Sequence, residues 1–370
     1  MRIGVPKEIK TREFRVGLTP SGAHALAAEG HAVRVQAGAG TAVGLTDDAY
    51  RAAGAQIVAT AAEVYDADLV IKVKEPQASE YALTHPGQIL YCYLHFAPDP
   101  PLLAAMLERR VSALAFETVT APDGSLPLLI PMSDIAGRLA PQVGAWALQM
   151  PNGGSGVLLG GVPGVPPAQV TIIGGGTVGA GAARIAIGMG ATVTLLDKNA
   201  AVLRRLEAVF GPRLITRAAE PAAVAEAVRS ADLVVGAVLL AGKRSPRLIH
   251  REDLRTMRPG SVIVDVGIDQ GGIADTSRPT SHVEPVFVEE GVLHYCVPNM
   301  PSAVARTATL ALAQATLPYA LVLARHGLRE ALRREPALVP GLQMHDGHLT
   351  HADLAADVGL PYVAVPDALR

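Results

Sequence analysis

The run Gly174-Gly-Gly-Thr-Val-Gly179 follows an apolar segment, Val170-Thr-Ile-Ile173, and precedes a helical pattern from Ala180 to Met189. Strand, glycine turn and helix in that order are the phosphate-binding start of a dinucleotide fold. Gly174 permits the tight turn, Gly176 lets the backbone approach a pyrophosphate, and Gly179 lets the helix pack closely on the strand. Thr177 and Val178 open the helix, whose N-terminal amides face the phosphates. A second strand-like run, Thr192 to Leu196, ends at Asp197, 23 residues after Gly174. A carboxylate there accepts from both ribose hydroxyls and repels a 2′-phosphate, which favours NAD over NADP. Lys198, the next residue, could tolerate a phosphate.

Three further polar residues stand where parallel α/β sheets gather ligands, at the carboxyl ends of strands. Lys74 ends one apolar run, His95 follows another, and Asp269 lies in Gly267-Ile-Asp-Gln-Gly-Gly272. Each has a plainer alternative. Lys72 and Lys74 alternate with Ile71 and Val73, as on a solvated strand face. His95 is one of eleven histidines, and Asp269 before two glycines could serve only to shape a turn. Arg15 closes the polar loop Lys10-Thr-Arg-Glu-Phe-Arg15, where residue type alone does not select it over Arg12.

The elements that must position these residues alternate between strand-length apolar runs and helical patterns, the rhythm of parallel sheets with crossover helices. The first block has strands at Arg2 to Val5, Ala32 to Gln36, Leu69 to Lys74, Ile89 to Leu94 and Ala113 to Glu117. Thr19-Pro20 opens a helix over Ser21 to Glu29 as an N-cap followed by proline. A helix from Ser133 to Met150 and the Gly/Pro-rich connection Asn152 to Pro167 lead to a second block. That block has strands at Gln169 to Ile173, Thr192 to Leu196, Arg213 to Thr216, Leu233 to Val238 and Ser261 to Val266. A helix over Ser302 to His326 closes it, and the tail returns to the first block. The expected fold is α/β with two Rossmann-like domains. The nucleotide domain, 131–304, is inserted into a substrate domain of 1–130 and 305–370, with the two long helices bridging a cleft.

The composition fits such a fold. In 370 residues, 49% are hydrophobic and 18% charged, enough to bury large cores and too apolar for disorder. Only 4% are aromatic, so Ala, Val, Leu and Ile should fill the cores. The net charge of −2 has no block of like charge, which excludes an electrostatic footprint for nucleic acid or an anionic membrane. Cys92 and Cys296 lie far apart in apolar runs and read as buried thiols rather than a disulfide or zinc site. The N-terminus reads as a strand rather than a signal peptide. The most apolar stretch, Ala308 to Ala324, is broken by Gln314 and Pro318 and falls short of a membrane span. A soluble cytoplasmic protein is expected.

Several motifs go beyond a generic nucleotide fold. Ile3-Gly-Val-Pro-Lys-Glu-Ile-Lys10 with Glu13-Phe-Arg-Val-Gly-Leu-Thr-Pro20 resembles the start of the alanine dehydrogenases. So do Val73-Lys-Glu-Pro76, Tyr93-Leu-His-Phe96, Pro131-Met-Ser-Asp-Ile-Ala-Gly-Arg138, Leu159-Gly-Gly-Val-Pro-Gly-Val165, Ile268-Asp-Gln-Gly-Gly272 and Asn299-Met-Pro301. The resemblance runs nearly end to end. It implies reversible, NAD-dependent oxidative deamination of L-alanine to pyruvate and ammonium, carried out by a homohexamer. It implies that Arg15 and Lys74 hold the substrate, that His95 is the acid/base at the substrate oxygen, and that Asp269 activates water and positions the amine. It further implies cofactor contacts from Ser133, Thr177, Val178, Asp197, Val238, Leu239, Val266, Gly267, Ile268, Asp269, Arg278, Val297, Pro298, Asn299 and Met300.

The sequence also departs from the family. Val202 stands where relatives often carry a lysine, and Ala218-Ala219 where they carry a serine near the adenine. Gly267 and Ala305 stand where alanine and proline are usual. Glu117 and His326 could form a divalent-cation pair such as some relatives use, or a plain carboxylate–histidine hydrogen bond. Two other functions share this architecture: the NAD(H)-binding subunit of a proton-translocating transhydrogenase, and a dehydrogenase of another small amino acid, such as one reducing glyoxylate to glycine. His95 and the Asp269 loop speak for the dehydrogenase over the transhydrogenase subunit.

Overall fold

A computed structural model of the chain describes residues 1–238 and 245–370. Leu239, one of the expected cofactor contacts, lies outside the described residues. The chain forms two compact α/β units, Met1–Met132 with Val304–Arg370 and Ser133–Ala303. In chain order the strands are β1 Arg2–Val5, β2 Ala32–Gln36, β3 Gln56–Val58, β4 Leu69–Ile71, β5 Ile89–Cys92, β6 Ser112–Ala115, β7 Gln169–Ile173, β8 Thr192–Asp197, β9 Leu214–Ala218, β10 Leu233–Gly236, β11 Val262–Asp265, β12 Val286–Glu289, β13 Val292–Tyr295, β14 Leu342–His345 and β15 His348–Leu349.

The first unit's sheet has the order β15-β14-β6-β5-β4-β1-β2-β3, in which β1 to β6 are all parallel. The second unit's sheet has the order β12-β13-β11-β10-β7-β8-β9, parallel except for β12. Both are therefore doubly wound, with the order reversing between β1 and β4 in one and between β7 and β10 in the other. The expectation of parallel sheets needs correction at two edges. There β14–β15 and β12–β13 are antiparallel hairpins. Their two-residue turns, Asp346-Gly347 (φ 47° and 83°) and Glu290-Gly291 (φ 49° and 79°), take left-handed backbone at both positions. Such turns match the twist of paired strands.

β4, β5 and β6 end two or three residues earlier than the apolar runs suggest, so Lys74 and His95 lie in the loops beyond β4 and β5, and Glu117 in the 3₁₀ turn Phe116–Thr118 after β6. Thr19 caps the helix Pro20–Ala28 as expected, its Oγ1 accepting from Gly22 N at 3.3 Å with Pro20 in the first turn. The next long helix is Ile130–Ala147, three residues earlier than expected at each end.

The last long helix, Ala305–Arg334, runs through Gln314 and Pro318 and turns aside only at Gly327 (φ 68°, ψ 171°). With its leading turn it is long and apolar enough to cross a membrane by length and composition. Of its most apolar window, 44% is buried inside the chain.

Aliphatic residues dominate the cores, but the first unit also encloses Tyr50, Tyr65, Tyr91 and Phe116 completely. Two of these rings place their hydroxyls on backbone carbonyls. Tyr50 Oη donates to Leu18 O at 2.6 Å and Tyr91 Oη to Thr316 O at 3.2 Å. Cys92 and Cys296 are both buried free thiols.

Candidate active site

In the first unit, the chain leaves β1 and β4 side by side at the reversal of strand order, the usual ligand crevice of a doubly wound sheet. The residues there are charged and buried. Lys72 has no exposed surface, and its Nζ lies 3.3 Å from Glu8 Oε2 and 3.0 Å from Glu80 Oε1. Burial opposes its charge, yet the two carboxylates outweigh that and raise its pKa above the ordinary lysine range. Glu8 Oε1 accepts from the amides of Val73 (2.7 Å) and Lys74 (3.2 Å), fixing the backbone that carries Lys74. The solvated strand face is thus overturned for both lysines.

Lys74 is 8% exposed. Burial first, and then the neighbouring charge of Arg15, lower its pKa; Glu75 opposes them. Lys10 pairs with Glu75 and, with Lys74, keeps that carboxyl below its ordinary range in spite of burial. Between the two candidate arginines the structure distinguishes sharply. Arg12 is exposed with left-handed backbone (φ 61°), whereas Arg15 is 1% exposed. Gly17 draws the Arg15 loop against β4, where an added Cβ would stand 2.7 Å from Ile71 O. Glu13 grips Arg15 with Nε–Oε1 at 2.7 Å and Nη2–Oε2 at 2.5 Å, and Arg15 Nη1 lies 3.2 Å from Met132 Sδ. Glu13 had no signal in the sequence beyond its proximity.

His95 follows β5 in a left-handed conformation (φ 46°), rare for a residue with a side chain and a mark of over-determined local structure. Glu117, from the end of β6, holds it there. Its carboxylate accepts from His95 N (2.7 Å) and Leu94 N (3.1 Å), with His95 Nδ1 3.6 Å away. The imidazole is half exposed and parallel to the Tyr93 ring. The histidine paired with Glu117 is therefore His95 and not His326, which is exposed on the long helix. Among the described residues no three His, Cys, Asp or Glu side chains gather as metal ligands.

In the second unit, the glycine turn separates what the fold requires from what a ligand requires. Gly174 has φ 102°, and an added Cβ would meet Ala237 O at 2.6 Å; at Gly179 it would meet Gly174 O at 1.8 Å. At Gly176 it would meet nothing within 4 Å among the described residues. Packing among the described residues does not demand that glycine, and the space beside it is what a pyrophosphate at the helix N-terminus needs. The helix Thr177–Gly188 has no side-chain cap, so its first amides are not claimed by one. Gly137, one turn after Ser133, brings the helix Ile130–Ala147 onto that end: a Cβ there would lie 2.2 Å from Val178 O. These residues fit a dinucleotide.

Asp197 ends β8 with Oδ2 accepting from Gly175 N at 2.6 Å and Oδ1 from Asn199 N at 2.7 Å, so the acid and the turn are physically joined. Val202 faces the same turn; an added Gly175 Cβ would lie 2.6 Å from its Cγ1. Ala219 N donates to Asp197 O at 3.1 Å. The two departures from the family pattern thus flank Asp197.

The loops after β10 and β11 meet where Gly267 approaches Val238, an added Cβ standing 2.9 Å from Val238 O. Gly267 is therefore not interchangeable with the alanine of relatives without a local shift. Val266–Gln270 forms a turn of 3₁₀ helix that buries Gly267 and Ile268 and leaves the Asp269 side chain exposed. Beneath it lies Asp265, fully buried and not singled out from the sequence. Its Oδ2 accepts from Ile273 N (2.8 Å) and Ser277 Oγ (2.5 Å), and burial raises its pKa. The stretch Val297 to Met300 is largely buried, with Asn299 left-handed (φ 58°) and its carbonyl accepting from Ser302 N and Oγ, both at 3.0 Å. Arg278 is exposed over the Phe287 ring.

One unit thus offers a guanidinium, a lysine of lowered pKa and a half-exposed imidazole. The other offers an exposed carboxylate next to a dinucleotide cradle. Such groups suit an anionic substrate that undergoes hydride and proton transfer. Comparisons with known proteins agree. The alanine dehydrogenase/PNT N-terminal domain model matches residues 4–136 and the C-terminal domain model residues 140–352. An alanine dehydrogenase of Halomonas elongata is 52% identical over 98% of both chains, and one of Methanococcus maripaludis is 51% identical over the whole of both. A solved L-alanine dehydrogenase superposes with a TM-score of 0.95 at 48% identity, covering 97% of this chain and 99% of that one. The transhydrogenase from Sinorhizobium meliloti shares the fold, with a TM-score of 0.81 at 24% identity over 95% of this chain and 99% of its own. The chain belongs to the alanine dehydrogenase/PNT family.

Proposed function

We propose that this protein is an L-alanine dehydrogenase, interconverting L-alanine, NAD and water with pyruvate, ammonium, NADH and a proton. The observation that carries the reading is full-length identity of about half to proteins named alanine dehydrogenase, in a chain that keeps the buried Arg15 and Lys74 at the β1/β4 crevice. NAD rather than NADP is favoured by Asp197, whose carboxylate repels a 2′-phosphate.

Arg15, oriented by Glu13, receives the substrate carboxylate; a planar guanidinium pairs with a carboxylate through two parallel hydrogen bonds. Lys74 serves the carbonyl or amine-bearing carbon, its lowered pKa bringing it closer to the neutral, proton-accepting form. When bound, the nicotinamide ring accepts the hydride from the alanine Cα. Asp269 takes a proton from the water that adds to the resulting substrate iminium, and it holds the amine. His95 then moves the proton at the substrate oxygen as the carbinolamine collapses to pyruvate and ammonium. Glu117 keeps His95 in place through its backbone and ring.

The Gly174–Gly179 turn and the Thr177 helix end hold the pyrophosphate, Asp197 the adenosine ribose, and Ser133, Val238, Val266–Asp269, Arg278 and Val297–Met300 line the rest of the cofactor. We read the assembly as a cytoplasmic homohexamer, as the resemblance implies; a monomer by light scattering overturns that part. The assay that tests the activity is NADH oxidation with pyruvate and ammonium. Oxidation only in the presence of a partner protein would instead support a transhydrogenase component, and faster turnover with glyoxylate would move the substrate to glycine.

A further inference from the structure

Arg278 stands on a stack of two rings. Its guanidinium carbon lies 3.9 Å from the centroid of Phe287, within cation–π range. No carboxylate lies within ion-pair distance of it among the described residues, so this aromatic face is its defined neighbour. Contact through the ring face consumes none of the five N–H donors, which stay available to an oxygen-rich ligand.

Phe287 is itself held from below. It sits in the edge strand β12 directly opposite His294 of β13, and the two rings stack at 4.8 Å and 21°. His294 is fully buried and fixed at both nitrogens: Nδ1 is 3.0 Å from Val292 O and Nε2 is 2.8 Å from Thr276 Oγ1. A neutral imidazole satisfies both, donating from Nδ1 and accepting at Nε2. Burial lowers the His294 pKa, so the ring stays uncharged at neutral pH and sets no second cation under Arg278. Thr276 lies two residues before Arg278, so the histidine ties the ring platform to the loop that carries the arginine.

We infer that Phe287 is a positioning residue for the cofactor: seated on His294, it pre-orients Arg278 to meet the dinucleotide. The inference rests on the reading that Arg278 touches the cofactor. Ordering a long, rotamer-rich side chain before the ligand arrives removes part of the entropy otherwise lost on binding.

The test is NADH affinity by fluorescence titration, without turnover. Phe287→Leu keeps an apolar side chain in the half-buried strand position but removes the ring face; Phe287→Tyr keeps the face. We expect about a three- to tenfold weaker Kd for Phe287→Leu, with the wild-type value retained by Phe287→Tyr. Arg278→Ala should weaken binding further, and Phe287→Leu added to it should have no additional effect. Phe287→Met replaces the leucine variant if that one melts early. Wild-type affinity in the ring-less variant, alongside weakened Arg278→Ala, overturns the positioning role and leaves the arginine's role standing. Unchanged affinity in Arg278→Ala overturns the arginine's role and the positioning with it. Additive losses in the double variant also overturn the positioning role.

Discussion

The ammonium of Lys72, with no exposed surface, stands 3.3 Å from one oxygen of Glu8, while the other oxygen of that carboxylate receives the amides of Val73 and Lys74. A buried cation therefore supports the backbone that presents Lys74. Lys72→Met should cost about 3–5 kcal/mol in urea denaturation, because it leaves Glu8 and Glu80 buried without their counter-charge. Adding Glu8→Gln and Glu80→Gln should recover much of the loss. A Lys72→Met protein as stable as the wild type would show that the triad carries no such burden.

Gly176 and Gly179 should part company on substitution. Gly179→Ala places a methyl 1.8 Å from Gly174 O, so the turn must open and the melting temperature must fall. Gly176→Ala meets nothing within 4 Å among the described residues and should melt like the wild type, yet lose NADH affinity by about tenfold or more as the methyl fills the pyrophosphate approach. Wild-type NADH binding in Gly176→Ala would mean that the phosphates lie elsewhere.

Asp269→Asn should lower kcat by about 10²- to 10⁴-fold and leave NADH binding intact, since it removes a proton acceptor without altering the buried Gly267–Ile268 turn. Arg15→Lys should act differently, cutting kcat/KM for pyruvate by about 10- to 100-fold through loss of the paired carboxylate bonds. Steady-state kinetics beside fluorescence titration distinguish the two patterns. Normal turnover of Asp269→Asn removes it from the mechanism.

Asp265 gives a pH dependence of known sign. Burial raises its carboxyl pKa above the ordinary 3.8, so the folded chain holds that proton more tightly than the unfolded chain. The stabilisation this provides is complete below about pH 3.8 and is lost as pH rises through the folded-state pKa. Asp265→Asn does not titrate, and its amide oxygen can still accept from Ile273 N and Ser277 Oγ. The melting temperature of the variant, relative to wild type, should therefore climb as the pH rises from about 3.8 through the folded-state pKa. A flat difference would mean that ionising Asp265 costs the fold nothing.

The legible parts of this protein are those whose physics is local. The glycine turn, the β8 acid and the Thr19 cap follow from residue types at fixed spacings, and the structure keeps all three. Strand ends were less legible. Apolar runs continue through Val73 and Leu94 because those residues are buried beyond the ladder, so hydrophobicity alone overruns β4 and β5. The edge hairpins went unread although Asp346-Gly347 and Glu290-Gly291 are turn pairs, because their strands are short and follow a long helix and a loop. Least legible were the buried charges. Glu8, Glu13, Glu80 and Asp265 look like any surface acid in a sequence, and only the fold shows that each has a cation or backbone amides to hold.

The chain passes from the first unit into the second near residue 132 and returns near residue 304, and β14 joins β6 with Leu342 opposite Leu114. This splits the two units in time. On a ribosome the second unit has every residue it needs once position 303 has emerged, and it can fold while the first is still missing a long helix and two strands. Until β14 and β15 are made, the edge of β6 stays open, and a nascent chain carries a templating strand edge for the whole of that interval. Synthesis speed over the last seventy or so residues (about 5–20 per second) thus sets how long the first unit stays vulnerable to aggregation after the second is sound.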